Sequence, residues 1–325
     1  MRSGVVALAV VLALGLASCG NDEAKLAKQA EKTKQDEAAV EQAVAASKGG
    51  DFQAALTLLR PLAEAGYKSA ENNLGRLYFD GTGVPENDEE AVKWFRLAAD
   101  KGSAEAQYNL ATAYENGNGV MQDIEQALKW YRLAAQQGLP QAEVNLGRMY
   151  DEGLGVAQNP LAALRWFSAA AAKGDPQAQF NLGSMYGTGR GVPKNDAEAL
   201  KWYSLAAGKG FAEAQYTLGS FYEDGTGVMQ NYAEAMRWYR LAAAQGHPGA
   251  QNNVGRLYAD GLGVPKDNVK TLMWFNLALP GLRGEDASNA LTFRDEFASG
   301  MTRQQIAQAD ALAMLCRDSG FMNCD

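Results

Sequence analysis

Histidine is almost missing from this chain: His247 stands alone among 325 residues. A Ser-His-Asp triad would have to recruit that one residue from a Gly-His-Pro link, and zinc sites built on several histidines are excluded. Cysteine is nearly as scarce. Cys19, Cys316 and Cys324 are the whole set, too few for a cysteine metal site. Basic residues are outnumbered, 30 Lys and Arg against 38 Asp and Glu for a formal charge of −8. No basic stripe is visible, so the footprint of a nucleic-acid binder is missing. Lysine-bearing phosphate loops are missing too, because the Gly-x-Gly-Val turns follow helical segments and lack the strand and the lysine. Paired acids such as Asp151-Glu152 and Glu223-Asp224 recur with the turns and read as helix-end solvation. Catalytic residues, metal ligands and cofactor sites are therefore not expected.

What is present is a period. An aliphatic residue falls at Leu74, Leu110, Leu146, Leu182, Leu218 and Val254, a tyrosine at Tyr78, Tyr114, Tyr150, Tyr186, Tyr222 and Tyr258, and a tryptophan at Trp94, Trp130, Trp166, Trp202, Trp238 and Trp274. Each series steps by 36 residues without an insertion. Such a period marks a stacked array, because one unit cannot bury its own apolar face and needs a neighbour.

Within a repeat, Gln141 to Glu152 places Ala142, Val144, Leu146, Met149 and Tyr150 on one stripe and predicts helix A. Gly153 should end it in the left-handed region, with Gly155 and Val156 forming the turn. Asn87, Asp123, Asn159, Asn195, Asn231 and Asp267 predict the N-caps of helix B. Glu90, Gln126, Glu198 and Glu234 three residues later predict capping boxes, and Pro160 suits the first helical position. Small residues on both helices, among them Gly147, Ala170 and Ala171, predict close helix packing. Each tryptophan is expected to be the main anchor of its repeat.

The pattern A-x-x-N-L-G-x-x-Y-x-x-G-x-G-V followed by A-x-x-W-x-x-x-A-A resembles the Sel1-like repeat family, helical relatives of the tetratricopeptide repeats. The likeness runs through about residues 69–284, with Ala111, Thr217 and Leu279-Pro280 as departures. It implies an all-α chain, a right-handed α-solenoid of helix-turn-helix repeats, acting as an adaptor or scaffold for protein–protein contacts. Residues 49–68 read as a degenerate leading repeat, with Leu58 at the tryptophan position. Residues 285–325 read as capping helices, the second opening with Thr302 and Gln305 as a capping box, and the stretch from Met301 to Ala313 is of a type common behind such arrays.

Upstream, the apolar run from Val5 to Leu14 is too short to span a bilayer comfortably and reads as a signal segment. Leu16-Ala17-Ser18-Cys19 resembles the lipobox of bacterial lipoproteins, which implies cleavage after residue 18 and a lipid on Cys19. The chain would then be held on a membrane facing the periplasm, the outer membrane being favoured by Gly20 after the cysteine. An ordinary signal peptide with an incidental cysteine is the alternative. Residues 19–48 suit either a tether or a polar capping helix. In an exported protein Cys316 and Cys324 are expected to pair, with Gly320 letting the chain fold back and free thiols as the alternative.

In tetratricopeptide relatives helix A lines the concave face, so positions there that vary between repeats are candidate readers of a protein or extended peptide. One series contains Tyr108, Val144, Phe180 and Tyr216; four residues on, and so on the same face, stand Arg76, Arg148 and Arg256. Glu115, Asp151 and Glu223 belong to a third. Asn109, Asn145 and Asn181, with Asn73 and Asn253, form an amide ladder that either holds a peptide backbone or ties adjacent helices. The rival function is binding or hydrolysis of cell-wall fragments or β-lactams, drawn from cysteine-rich relatives whose cysteine pairs this array lacks. Glycan binding through Tyr108, Phe180 and Tyr216 is a third reading, which needs those rings exposed in one groove.

Overall fold

The computed structural model describes residues 28, 31–321 and 324, and the chain divides into two compact units, one ending at Leu139 and the other starting at Pro140. Cys19 and the signal segment lie outside the described residues. The first unit holds α1 (31–48), α2 (Phe52–Glu64), α3 (Lys68–Asp80), α4 (Asp88–Asp100), α5 (Ala104–Asn116) and α6 (Ile124–Gln136). The second holds α7 (Pro140–Glu152), α8 (Pro160–Ala172), α9 (Pro176–Thr188), α10 (Asp196–Gly208), α11 (Ala212–Asp224), α12 (Tyr232–Ala243), α13 (Pro248–Asp260) and α14 (Asn268–Ala278), then α15 (Gly284–Ser299) and α16 (Arg303–Asp318). Strands are absent among the described residues. From α2 to α6, and again from α7 to α14, each helix packs on the next, in the manner of stacked repeats.

Local chemistry fixes where these helices start. Six times the N-cap side chain, from Asn87 to Asp267, accepts the backbone N–H three residues on at 3.0–3.1 Å. The expected capping boxes of helix B do not close, however. Glu90, Glu198 and Glu234 turn instead to Lys93, Lys201 and Arg237 one turn along. The reason is that the N-cap N–H is already taken: Asn87, Asp123, Asn195 and Asn231 donate to the carbonyls of Tyr78, Tyr114, Tyr186 and Tyr222 at 2.8–2.9 Å. Among the described residues the box is complete at Thr302 and Gln305 alone.

The first glycine of each turn ends helix A in the left-handed region, and the second serves a different purpose. A Cβ on Gly119 would stand 2.2 Å from the carbonyl of Asp88 at the head of the preceding helix B, and one on Gly227 would stand 2.8 Å from that of Asp196. The turn therefore presses backbone to backbone on the previous repeat, a joint that only glycine permits.

In five of the six repeats the tryptophan is not the deepest anchor; Trp274, at 2% exposed, is the exception. Trp94, Trp166, Trp202 and Trp238 are half-buried, whereas their successors Phe95, Phe167 and Tyr239 are at most 2% exposed. Those rings lie on the helix A glycines: a Cβ on Gly75, Gly147, Gly183, Gly219 or Gly255 would come within 2.6–2.9 Å of the ring. Indole size favours burial, but its N–H needs a partner. The Nε1 atoms of Trp94, Trp130, Trp202 and Trp238 have none, and cations lie over the rings of Trp130, Trp202 and Trp238.

A second tie joins the start of helix A to the end of helix B. Buried Glu71 and Glu143 take Lys101 and Lys173 at 2.5 and 2.7 Å, while Gln107 and Gln215 at the same position take Gln137 and Gln245 at 2.7 Å.

At the chain's ends, Val40 and Ala43 of α1 join the core formed by α2 and α3. Beyond α14 a single 3-10 turn, Leu279–Gly281, breaks the period. It is α16 that covers the last face, with Ala309, Ala313 and Cys316 packed among Leu272, Met273, Trp274 and Leu277. Cys316 is bonded to Cys324.

Candidate functional site

The aromatic candidates lean on the same ring, eight places into helix B. Tyr108 lies 5.7 Å from Tyr131, Phe180 5.5 Å from Tyr203, and Tyr216 5.8 Å from Tyr239. All three are half-buried. Phe180 also meets Phe211, and Tyr216 stacks on His247 at 4.5 Å. Burial raises the pKa of Tyr131, Tyr203, Tyr216 and Tyr239. Each ring is thus partly covered by its neighbours, and Tyr216 by His247 as well. His247 caps α13 by accepting the Ala250 N–H at 3.1 Å, with Nε2 3.1 Å from Glu213.

The amide series divides. Asn109 donates to Asn72 on the neighbouring helix A at 2.9 Å, a tie between repeats. Asn73 bonds the Ser69 carbonyl of its own helix, and Asn181 accepts from Gln177. Among the arginines, Arg256 is paired with Glu223, and Arg76 lines a shallow depression of 480 Å³ beside Asn72 and Ser103 in the first unit.

Four of the candidates do converge. Between α7 and α9 in the second unit lies a cavity of 440 Å³ bordered by Asn145, Arg148, Phe180 and Asn181. Val144 and Phe167 add apolar wall; Asp151, Glu152, Gln177, Ser184 and Arg190 add polar groups. Arg148 lies 3.5 Å from Glu152 one turn on.

Asp151 is not a solvated helix-end acid, and neither is Glu223. Both are largely buried and each holds an arginine, Arg190 on Asp151 at 2.6 Å and Arg256 on Glu223. Burial raises the pKa of Asp151, and the Arg190 guanidinium opposes that rise. In the repeats carrying Glu115 and Glu223 the acid also accepts a hydroxyl from sixteen residues ahead, Tyr131 at 2.7 Å and Tyr239 at 2.8 Å. The residue sixteen beyond Asp151 is Phe167, and Asp151 Oδ1 has no hydrogen-bond partner.

Arg190 is the site residue that the helix stripe could not reveal, since it sits in the turn after α9. Its signal was the lone cation at a turn position otherwise held by Thr82, Asn118, Leu154, Thr226 and Leu262. Together the amides, cations and apolar wall suit a polar chain laid across α7 and α9. Among the described residues no His, Cys, Asp and Glu side chains group as a metal site.

Comparison with known proteins agrees with this architecture. The Sel1 repeat model matches residues 68–103, 104–139, 140–175, 176–211, 212–247 and 248–279. A Sel1 repeat protein from Oxalobacter formigenes is 33% identical over 76% of this chain and 98% of its own, with a TM-score of 0.69. A protective antigen present in uropathogenic Escherichia coli strains, displaying an SLR fold, is 32% identical over 87% of this chain and 63% of its own, with a TM-score of 0.73. No curated protein matches the chain. Six consecutive matches over most of its length, on a fold of stacked helix pairs, place this chain in the Sel1 repeat family.

Proposed function

We propose that this protein is an envelope adaptor, held by a lipid on Cys19 to a membrane facing the periplasm, the outer membrane being favoured, and that it binds a protein or an extended peptide across its helix A face. Sel1 repeats are generally non-enzymatic scaffolds for protein–protein interaction, which supports the binding part of this reading. The sequence from Leu16 to Cys19 supports the anchor.

The observation that carries the proposal is the cavity between α7 and α9, where variable helix A positions from two successive repeats meet. The protein works there by binding and performs no reaction. The single histidine sits at the head of α13, where it caps that helix.

The test is a crosslinking pull-down from envelope membranes, comparing wild type with an Asn145→Ala, Arg148→Ala, Asn181→Ala triple variant. Tyr108 and Tyr216 are left in place, because truncating packed rings costs roughly 3–5 kcal/mol each and would confuse unfolding with lost binding. The triple variant should melt close to wild type and recover at least tenfold less of one protein partner, the loss of two or three interfacial contacts of about 1 kcal/mol each. An unchanged set of partners would move the interaction off this face.

A further inference from the structure

The acid beside the cavity between α7 and α9 differs from its counterpart in the repeat of α11 and α12 by one missing hydroxyl partner. In the repeat of α11 and α12 the acid is a fork: one oxygen of Glu223 holds Arg256 and the other accepts the Tyr239 hydroxyl. In the repeat of α7 and α8, Asp151 Oδ2 holds Arg190, while Oδ1 is left without a partner beside Phe167. Asp151 is itself 7% exposed and lines the cavity. A buried polar atom without a partner is costly, and at Asp151, unlike at Glu143, it borders a cavity where a bound group can complete it.

We propose that the partner completes it: the cavity receives a tyrosine side chain of the bound peptide, whose phenol donates to Asp151 and replaces the hydroxyl that Phe167 lacks. This rests on the peptide-binding reading above. A water molecule could satisfy the oxygen but would leave the half-buried ring of Phe180 uncovered on the cavity wall, whereas an aromatic ring covers it. The two arginines bordering the cavity, Arg148 and Arg190, are matched by Glu152 and Asp151, so the lining carries no net charge and a neutral phenol suits it. The volume of 440 Å³ holds such a side chain with part of its backbone, which Asn145 and Asn181 flank. Oδ1 itself has almost no exposed surface, so the carboxylate must turn about its broad terminal torsion to meet the hydroxyl while Arg190 follows Oδ2.

Fluorescein-labelled, capped pentapeptide pools with a fixed central Tyr, Phe or Lys test this against the full chain, Phe167→Tyr and Asp151→Asn, read by anisotropy. The Phe167→Tyr variant follows the chain's own usage, because Tyr203 and Tyr239 already sit on Gly183 and Gly219. It should fold, melt higher than wild type and supply the hydroxyl internally. The Tyr pool is expected to bind wild type about tenfold more tightly than the Phe pool, the discrimination a hydrogen bond to a charged group provides. That preference should vanish in both variants. Equal binding of the Tyr and Phe pools, a preference for Lys, or a Tyr preference that survives Phe167→Tyr would overturn the tyrosine assignment and leave peptide binding standing. No binding by any pool would overturn both.

Discussion

Replacing Gly119 by alanine is expected to lower the stability of the first unit by about 3–4 kcal/mol, far more than the same change at Gly117 two residues earlier. Both glycines have positive φ, +63° and +77°, so both substitutions incur about 1–2 kcal/mol for placing an L-residue in the left-handed region. At Gly117 little else is added, since the new Cβ comes no closer than 3.4 Å to any neighbour, an ordinary contact with Gln122 Cβ. At Gly119 it would stand 2.2 Å from the Asp88 carbonyl and 2.6 Å from the Glu89 N–H. Backbone at a helix head cannot turn aside as a side chain can, so the joint between repeats must open, an overpacking cost of a further 1–3 kcal/mol or so. Denaturant unfolding of the two variants side by side measures the difference. Equal losses would mean that the second glycine is kept for its backbone angle alone.

The next largest effect is expected at Lys173. Glu143 is buried and its Oε2 has no partner, so the Lys173 ammonium at 2.7 Å is what neutralises it. Lys173→Met leaves that carboxylate buried without its cation and should cost roughly 3 kcal/mol. The same chain shows the remedy. Gln107 with Gln137, and Gln215 with Gln245, fill the equivalent positions as neutral pairs bonded at 2.7 Å. The double variant Glu143→Gln, Lys173→Gln should therefore fall within about 1 kcal/mol of wild type, as a hydrogen-bonded pair exchanged for an ion pair. Urea midpoints of wild type, single and double variants decide it. A double variant as weak as Lys173→Met would show that the charge, and not the hydrogen bond, holds the two helix ends together.

That pairing was written in the sequence thirty residues apart, Glu71 with Lys101 and Glu143 with Lys173 against Gln107 with Gln137. It breaks at Gln179, where Lys209 bonds the Gly174 carbonyl instead. The helices, their N-caps and their glycine stops were legible because each depends on residues near in sequence. The deepest anchors were not, because ranking by size puts tryptophan first, whereas the ring seated on the helix A glycine is that of the next residue along. The unclosed capping boxes depended on a tyrosine carbonyl nine residues upstream that only the folded turn delivers. Of the site, helical spacing pointed to Asn145, Arg148, Phe180 and Asn181 separately, but their meeting around one cavity depends on how α7 and α9 lie side by side. Arg190 comes from a turn, outside any helical stripe.

The adaptor reading is tested most directly by where a partner touches the protein in the envelope. A photoreactive benzoylphenylalanine placed at Gln177, exposed at the edge of the cavity, is compared with one at Leu205, exposed on α10 in the same unit. The account predicts a discrete protein adduct from position 177 on irradiation of intact cells and none from position 205. An adduct from 205 with none from 177 would contradict it and assign binding to helix B.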